Sequence, residues 1–195
     1  MGLLFEEVLR FSNELANETS GEHYTPRDIV ELLVSLIFAP EKKNFLKSNK
    51  VTSIYDPCCG TGGMLTIGKK WINQNLNKTA KVFMCGQELL PEAFAICKAD
   101  MLITGEDDRN IRGPISTLSK DQFSREKFEY MITNPPFGED WEEDKNAVYE
   151  ESKKVDSRFP AGLPRISDGS LLFLQHMISK MEKKNYRIGV IFHNS

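Results

Sequence analysis

Short β-branched or apolar runs alternating with longer stretches of helical spacing predict an α/β fold with a largely parallel sheet covered on both faces. Three observations carry this prediction. VTSIYD, KVFMCGQE and FEYMITN each end in turn chemistry, and helix-like stretches lie between them. A glycine cluster, CCGTGG, follows the first of these runs directly. The opening segment, by contrast, shows only helical periodicity, so the strands are preceded by N-terminal helices.

In chain order, residues 3 to 17 place Leu3, Leu4, Val8, Leu9, Phe11 and Leu15 at spacings that suit an amphipathic helix. A polar break follows. Thr25-Pro26 then predicts a second helix, with Thr25 as cap and Pro26 in its first position, running through IVELLVSLIF until Pro40 ends it. Residues 1–48 are therefore read as a helical segment and residues 49–195 as the sheet-bearing domain. VTSIYD predicts a strand and GMLTIGKKWINQNL a helix; KVFMCGQE and PEAFAICKADMLITG repeat the alternation. NIRG is a weaker third strand. FEYMITN and RIGVIFHN are the fourth and fifth, with the helix GSLLFLQHMISKMEKK between them. Residues 138 to 165 are charged and carry Pro160, Gly162 and Pro164, which reads as a long loop over a functional face.

The 195 residues, 40% hydrophobic and 27% charged, suit one globular domain. No apolar run approaches the roughly 20 residues that span a bilayer, and the acidic start does not suit a secretory signal, so a soluble, cytoplasmic protein is expected. Cys58, Cys59, Cys85 and Cys97 show no CxxC spacing, which predicts buried free thiols and no metal site. The formal net charge of −3 predicts weak attraction to nucleic-acid phosphates, and the basic residues between Lys42 and Lys50 read as a solvated face.

Asp56, Pro57, Cys58, Cys59, Gly60, Thr61, Gly62 and Gly63 lie where the first strand turns into a helix, the mouth of the ligand crevice in open α/β sheets. There is no Gly-Lys-Ser/Thr for a phosphate cradle and no GxGxxG spacing for a dinucleotide. Asp56 instead suits a ligand amino group. Glu88, at the end of the second strand, suits the two hydroxyls of a ribose. Together the acids fit a nucleoside that carries an amino acid. Glu88 also has a plainer reading, as an acid at the N-terminus of the helix opened by Pro91.

Asn134, Pro135, Pro136 and Phe137 end the fourth strand on the same side as the glycine loop. Two prolines donate no backbone hydrogen bonds and stiffen the segment, so its carbonyls point in a fixed direction. The Asn134 side-chain oxygen and the Pro135 carbonyl are then acceptors for an amine whose lone pair is delocalised into a ring, such as that of adenine, and Phe137 offers a stacking face. Reaching such an amine requires the base to leave the duplex. A turn that merely ends the strand would instead make Phe137 a core residue.

DPCCGTGG followed by NPPFG, with GEHYTPR ahead of both, resembles the amino-methyltransferases of DNA, and most closely the modification subunits of type I restriction-modification systems. The resemblance covers nearly the whole chain. It implies a Rossmann-like methyltransferase fold that transfers a methyl group from S-adenosyl-L-methionine to N6 of an adenine flipped out of DNA. Its implied partners are DNA, a specificity subunit and a restriction subunit, with no membrane. By the same resemblance Glu22, His23, Tyr24, Thr25, Pro26 and Arg27 close over the cofactor's methionine end. Asp56, Pro57, Cys58, Gly60, Thr61, Gly62, Gly63 and Glu88 hold the cofactor, and Asn134, Pro135, Pro136 and Phe137 are the catalytic residues around the target base. Asp168 and SLLFLQHM resemble that family's helix after the catalytic loop.

Two features depart from the family pattern. The acid usual after the third strand is replaced by Arg112-Gly113-Pro114-Ile115-Ser116, so Asp107, Asp108 or backbone groups must serve there. The sheet also reads as incomplete at the C-terminus, which predicts an edge position for the fifth strand. The competing readings are a truncated, non-catalytic fragment that binds cofactor or holds an assembly, and an amino-methyltransferase acting on protein glutamine or RNA. Families of the latter kind mostly show tyrosine in place of Phe137 and lack HYTPR.

Overall fold

The computed structural model describes residues 25–46, 50–184 and 186–192. The helix predicted over residues 3 to 17 lies outside them. Helix α1 (Arg27–Phe38) buries Val30, Val34, Ile37 and Phe38, a stripe at helical spacing. Its N-cap is Pro26 with no side-chain cap, so the predicted capping by Thr25 does not occur; Asp28 in the first turn complements the helix dipole instead. The helix stops at Phe38 because Pro40 has no N–H to continue it, and a short 3-10 turn, Ala39–Glu41, follows.

Strands β1 (Val51–Asp56), β2 (Lys81–Gln87), β3 (Ile111–Arg112), β4 (Tyr130–Thr133) and β5 (Arg187–Val190) form one sheet of order β3-β2-β1-β4-β5. Every pairing is parallel, with Ile54 level with Met84 and with Tyr130, and Met131 with Ile188. β5 pairs with β4 alone among the described residues, the edge position expected. Helices α2 (Gly63–Asn75) and α3 (Pro91–Ile103) connect the first three strands. Helices α4 (Lys145–Ser152) and α5 (Ser170–Ser179) lie between β4 and β5.

Side-chain alternation along the strands builds a core on each face of the sheet. Ile54, Met84 and Ile132 face Phe38, Leu65, Ile72, Cys97 and Met101 of α1, α2 and α3. Tyr55, Cys85 and Met131 face Phe123, Phe128 and Met177 on the other side. The expectation of a parallel sheet covered on both faces is met, and α1 belongs to the same core as the strands. Cys59, Cys85 and Cys97 are buried free thiols, and Cys58 is half-buried.

Residues 138 to 165 are not a continuous loop, because they contain α4. That helix escapes sequence reading because it buries a single residue, Val148. One buried valine contributes about 2 kcal/mol. The exposed Lys145–Glu142 and Lys153–Glu150 pairs contribute little, since solvent screens them. An eight-residue helix is too short to persist on propensity. It is held through tertiary contacts: Val148 joins Leu118, Trp141, Phe159, Leu172 and Phe173 in a third apolar cluster, and Glu151 pairs with the nearly buried Arg158.

Candidate functional site

The strand order reverses between β1 and β4, so the chain leaves their carboxyl ends in opposite directions and opens a crevice there. The residues at this point are Asp56 and Thr133, and they are joined. Thr133 Oγ1 donates to Asp56 Oδ1 at 2.7 Å, and the Cys58 N–H donates to the same oxygen at 3.0 Å. Cys58 Sγ lies 2.9 Å from Thr133 Oγ1 and donates to the Asn134 carbonyl at 3.7 Å. The glycine loop and the NPPF segment thus share one hydrogen-bonded junction. Burial pushes the Asp56 carboxyl up to about 7, with nearby Glu88 adding to the rise, against the hydrogen bonds from Thr133 and Cys58 that lower it. A carboxyl in this state is poised to ionise when a cation arrives.

Past Asp56 the loop turns sharply. Gly60 and Gly62 have φ of 53° and 88°, a region that strains other residues. Gly62 is also close-packed, since a Cβ there would stand 2.7 Å from Cys97 Sγ. Around Gly60 and Gly63 a Cβ would meet nothing within 4 Å, so these glycines present open backbone at the mouth of α2. Thr61 is buried, and the Pro57 carbonyl accepts from Thr117 Oγ1 at 2.5 Å.

Glu88 follows β2, level with this loop, and the residue is only 5% exposed. Oε2 accepts from the Gly60 N–H at 2.7 Å, and Oε1 accepts from Leu89 and Leu90 N–H at 2.7 and 2.8 Å. The plainer reading of Glu88, an acid at the start of the helix opened by Pro91, is the one these bonds show. The side chain satisfies the amides that lead into α3, and it latches the glycine loop. A carboxylate offers about four acceptor positions, so three protein bonds leave room for a ligand hydroxyl.

The Asn134 side chain sits across the crevice. Its Nδ2 donates to Thr25 Oγ1 at 2.6 Å, which brings Thr25 to the NPPF segment. Its Oδ1 is buried and has no hydrogen-bond partner among the described residues. An orphan acceptor of this kind costs about 1–3 kcal/mol and fits a ligand N–H. Pro135 is buried, Pro136 exposed and Phe137 half-buried. Arg27 is exposed and pairs with Glu31 at 2.9 Å. Glu22, His23 and Tyr24 lie outside the described residues.

Neither acid suggested to replace the missing one after β3 reaches this crevice. Asp107 caps the 3-10 turn before β3 and pairs with Arg109, and Asp108 pairs with Lys98. The backbone after β3 is instead packed against Glu88. The Ile115 N–H donates to the Glu88 carbonyl at 3.0 Å, an approach that only glycine allows at position 113, where a Cβ would lie 2.4 Å from that carbonyl oxygen.

Sequence reading missed Thr133, Thr117, Arg158 and His176. Thr133 had a signal, as a polar residue at the end of an apolar strand directly before NPPF. Two clefts of about 350 and 380 Å³ lie elsewhere, one beside Trp141 and Tyr149, the other beside Phe83 and Met101. The crevice at the switch point is marked by converging polar groups. Asp168, at the turn before α5, accepts from the Ser170 N–H, which holds its carboxyl below the usual range.

This architecture, a doubly wound parallel sheet with a glycine loop after β1 and an acid after β2, is the Rossmann-like fold of the S-adenosylmethionine-dependent methyltransferases. The fold of the type I restriction-modification methyltransferase subunit from Streptococcus thermophilus superposes with a TM-score of 0.69 at 21% identity, over 86% of this chain and 33% of that one. A putative class I S-adenosylmethionine-dependent methyltransferase from Listeria monocytogenes gives 0.60 at 18% identity, over 90% of this chain and 50% of that one. The family model for N-6 DNA methylases matches residues 1–195, and the chain belongs to that family. Among curated proteins it is 24% identical to the HindI type I restriction enzyme methylase subunit of Haemophilus influenzae, over all of this chain and 40% of that sequence. It is 28% identical to the EcoEI methylase subunit of Escherichia coli, over 94% of this chain and 34% of that protein. The chain thus spans well under half the length of these relatives. Among the described residues no helix is long and apolar enough to cross a membrane.

Proposed function

We propose that this chain carries the catalytic core of a type I modification subunit, methylating N6 of adenine in DNA with S-adenosylmethionine. The observation that carries the reading is the junction at the switch point. Asp56 and Thr133 bind the glycine loop to the NPPF segment, and the Asn134 side-chain oxygen is buried with no partner among the described residues.

When bound, S-adenosylmethionine supplies an electrophilic methyl group on a sulfonium. Asp56 receives the ligand's ammonium group, which favours the carboxylate that burial alone disfavours. Glu88 accepts from a ribose hydroxyl with the one acceptor position left beyond its three backbone bonds. The open backbone at Gly60 and Gly63 lets the ligand approach the start of α2. Across the crevice, Asn134 Oδ1 and the Pro135 carbonyl accept hydrogen bonds from the two N–H groups of a flipped adenine, and Phe137 stacks on its ring. These acceptors favour a pyramidal nitrogen with its lone pair released from the ring, and the remaining acceleration is alignment of nitrogen with the methyl group. A specificity subunit selects the sequence, and a restriction subunit completes the system.

The test is calorimetric titration of S-adenosylmethionine into the chain and its Glu88→Gln variant, followed by transfer of labelled methyl groups to DNA with the specificity subunit present. Saturable binding weakened by Glu88→Gln, and label recovered as N6-methyladenine, are expected. A folded wild-type chain that binds no cofactor, or label found in RNA or protein glutamine, overturns the reading.

A further inference from the structure

We infer that Arg158 is a positioning residue that couples the segment after the NPPF motif to the glycine loop, an inference that rests on the functional reading of those two segments given above. Arg158 lies in a charged stretch where solvent exposure is the ordinary expectation, yet its side chain is only 9% exposed. All five guanidinium N–H groups have acceptors. Nε donates to Glu151 Oε1 at 2.7 Å, and Nη2 donates to Glu151 Oε2 at 2.6 Å and to the Leu118 carbonyl at 2.8 Å. Nη1 donates to the Thr117 carbonyl at 2.7 Å and to His176 Nδ1 at 3.0 Å.

Two of these contacts lead to the cofactor loop. Thr117, held by its carbonyl, donates its own hydroxyl to the Pro57 carbonyl at 2.5 Å. His176, held at Nδ1 by a group that can only donate, must carry its proton on Nε2, where it faces Tyr55 Oη at 2.9 Å. Burial and the neighbouring cations Arg158 and Lys180 keep His176 neutral. Arg158 therefore grips Tyr55 and Pro57, the residues on either side of Asp56, by two separate routes. On its other side the bidentate bond to Glu151 fixes α4, whose only buried residue is Val148. Ordering the segment that borders the target base thus orders the loop that borders the cofactor. Lysine has three donors in a different geometry and cannot reproduce the fork.

The experiment is amide hydrogen exchange on the unliganded chain and on Arg158→Lys, Thr117→Val and Thr117→Ser, with S-adenosylmethionine affinity measured on each. Arg158→Lys is expected to speed exchange at Gly60 and Gly62 by about tenfold, although neither amide touches Arg158, and to leave the β2 and β4 amides unchanged. Thr117→Val should do the same. Thr117→Ser, which keeps the hydroxyl, should match the wild type. The double variant Arg158→Lys with Thr117→Val should be no faster than the faster single one. Faster exchange confined to residues 139–169, or additive effects in the double variant, overturns the coupling. If the loop amides respond as expected but the wild type binds no cofactor, the coupling stands and the cofactor reading falls.

Discussion

Replacing Asp56 with asparagine should stabilise the fold above neutral pH and leave it little changed in acid. The carboxyl moves from 3.8 to about 7 in the folded protein because the side chain is buried, at 2% exposure. A rise of about three units, at about 1.4 kcal/mol each, means that the ionised form costs the fold about 4 kcal/mol. The folded pKa lies above the unfolded one. The stabilising contribution of the protonated group is therefore fully present below 3.8, falls as pH rises toward 7, and is gone above it. Between about pH 5 and about pH 8 the wild type should lose about 2.5 kcal/mol from this group. The Asp56→Asn side chain has nothing to ionise, and its amide oxygen can still accept from Cys58 and Thr133. Urea denaturation of both proteins at the two pH values measures the difference. A gap between them that changes by less than about 0.5 kcal/mol would refute the claim that Asp56 is a strained, desolvated acid. The same strain predicts that cofactor affinity rises with pH up to about 7 and then levels, because an ammonium beside Asp56 must first displace its proton.

Three further outcomes are expected. Gly62→Ala places a Cβ 2.7 Å from Cys97 Sγ at a φ of 88° and should lower stability by about 1–3 kcal/mol, read from the urea midpoint. Asn134→Ala should keep cofactor affinity within about twofold but slow methyl transfer by a factor of about 100 or more, because on the proposed reading the acceptor it removes serves the reacting amine; equal losses in both would place Asn134 in the cofactor site instead. Tyr55→Phe leaves the His176 Nε2 proton buried without its partner and should cost about 1–3 kcal/mol in chemical denaturation, whereas a neutral result would mean that the ring turns or takes its other tautomer.

The sheet was legible because parallel strands leave continuous apolar runs, and all five strands fall within the runs that predicted them. The glycine loop was legible because its positive φ values admit few other residues. Other features depended on contacts between residues far apart in the chain. Thr25 reads as a helix cap from its neighbours, but its hydroxyl goes to Asn134, 109 residues away. α4 carries one buried side chain and so no amphipathic stripe. Arg158 gives no local signal at all, since its acceptors come from segments 7 to 41 residues distant. Sequence patterns report what a residue does within its own element. These residues act between elements.

The charge distribution separates geometry from attraction on this face. Directly after NPPFG, residues 139–156 carry eight acids and three lysines, in a chain whose net charge is already −3. On the proposed reading, phosphates brought to the NPPF crevice would approach that acidic segment, so this surface would repel a duplex at the point where a single base is to enter. That repulsion and the cost of flipping the base would both oppose binding, and the stacking and hydrogen bonds proposed for Asn134, Pro135 and Phe137 would act only on a base already extruded. On the proposed reading, a chain built this way aligns an amine with a methyl group and should attract DNA only weakly by itself. On the proposed reading the cations that bind the phosphates belong to other parts of the assembly, and the steep salt dependence of DNA binding should follow those parts and not this crevice.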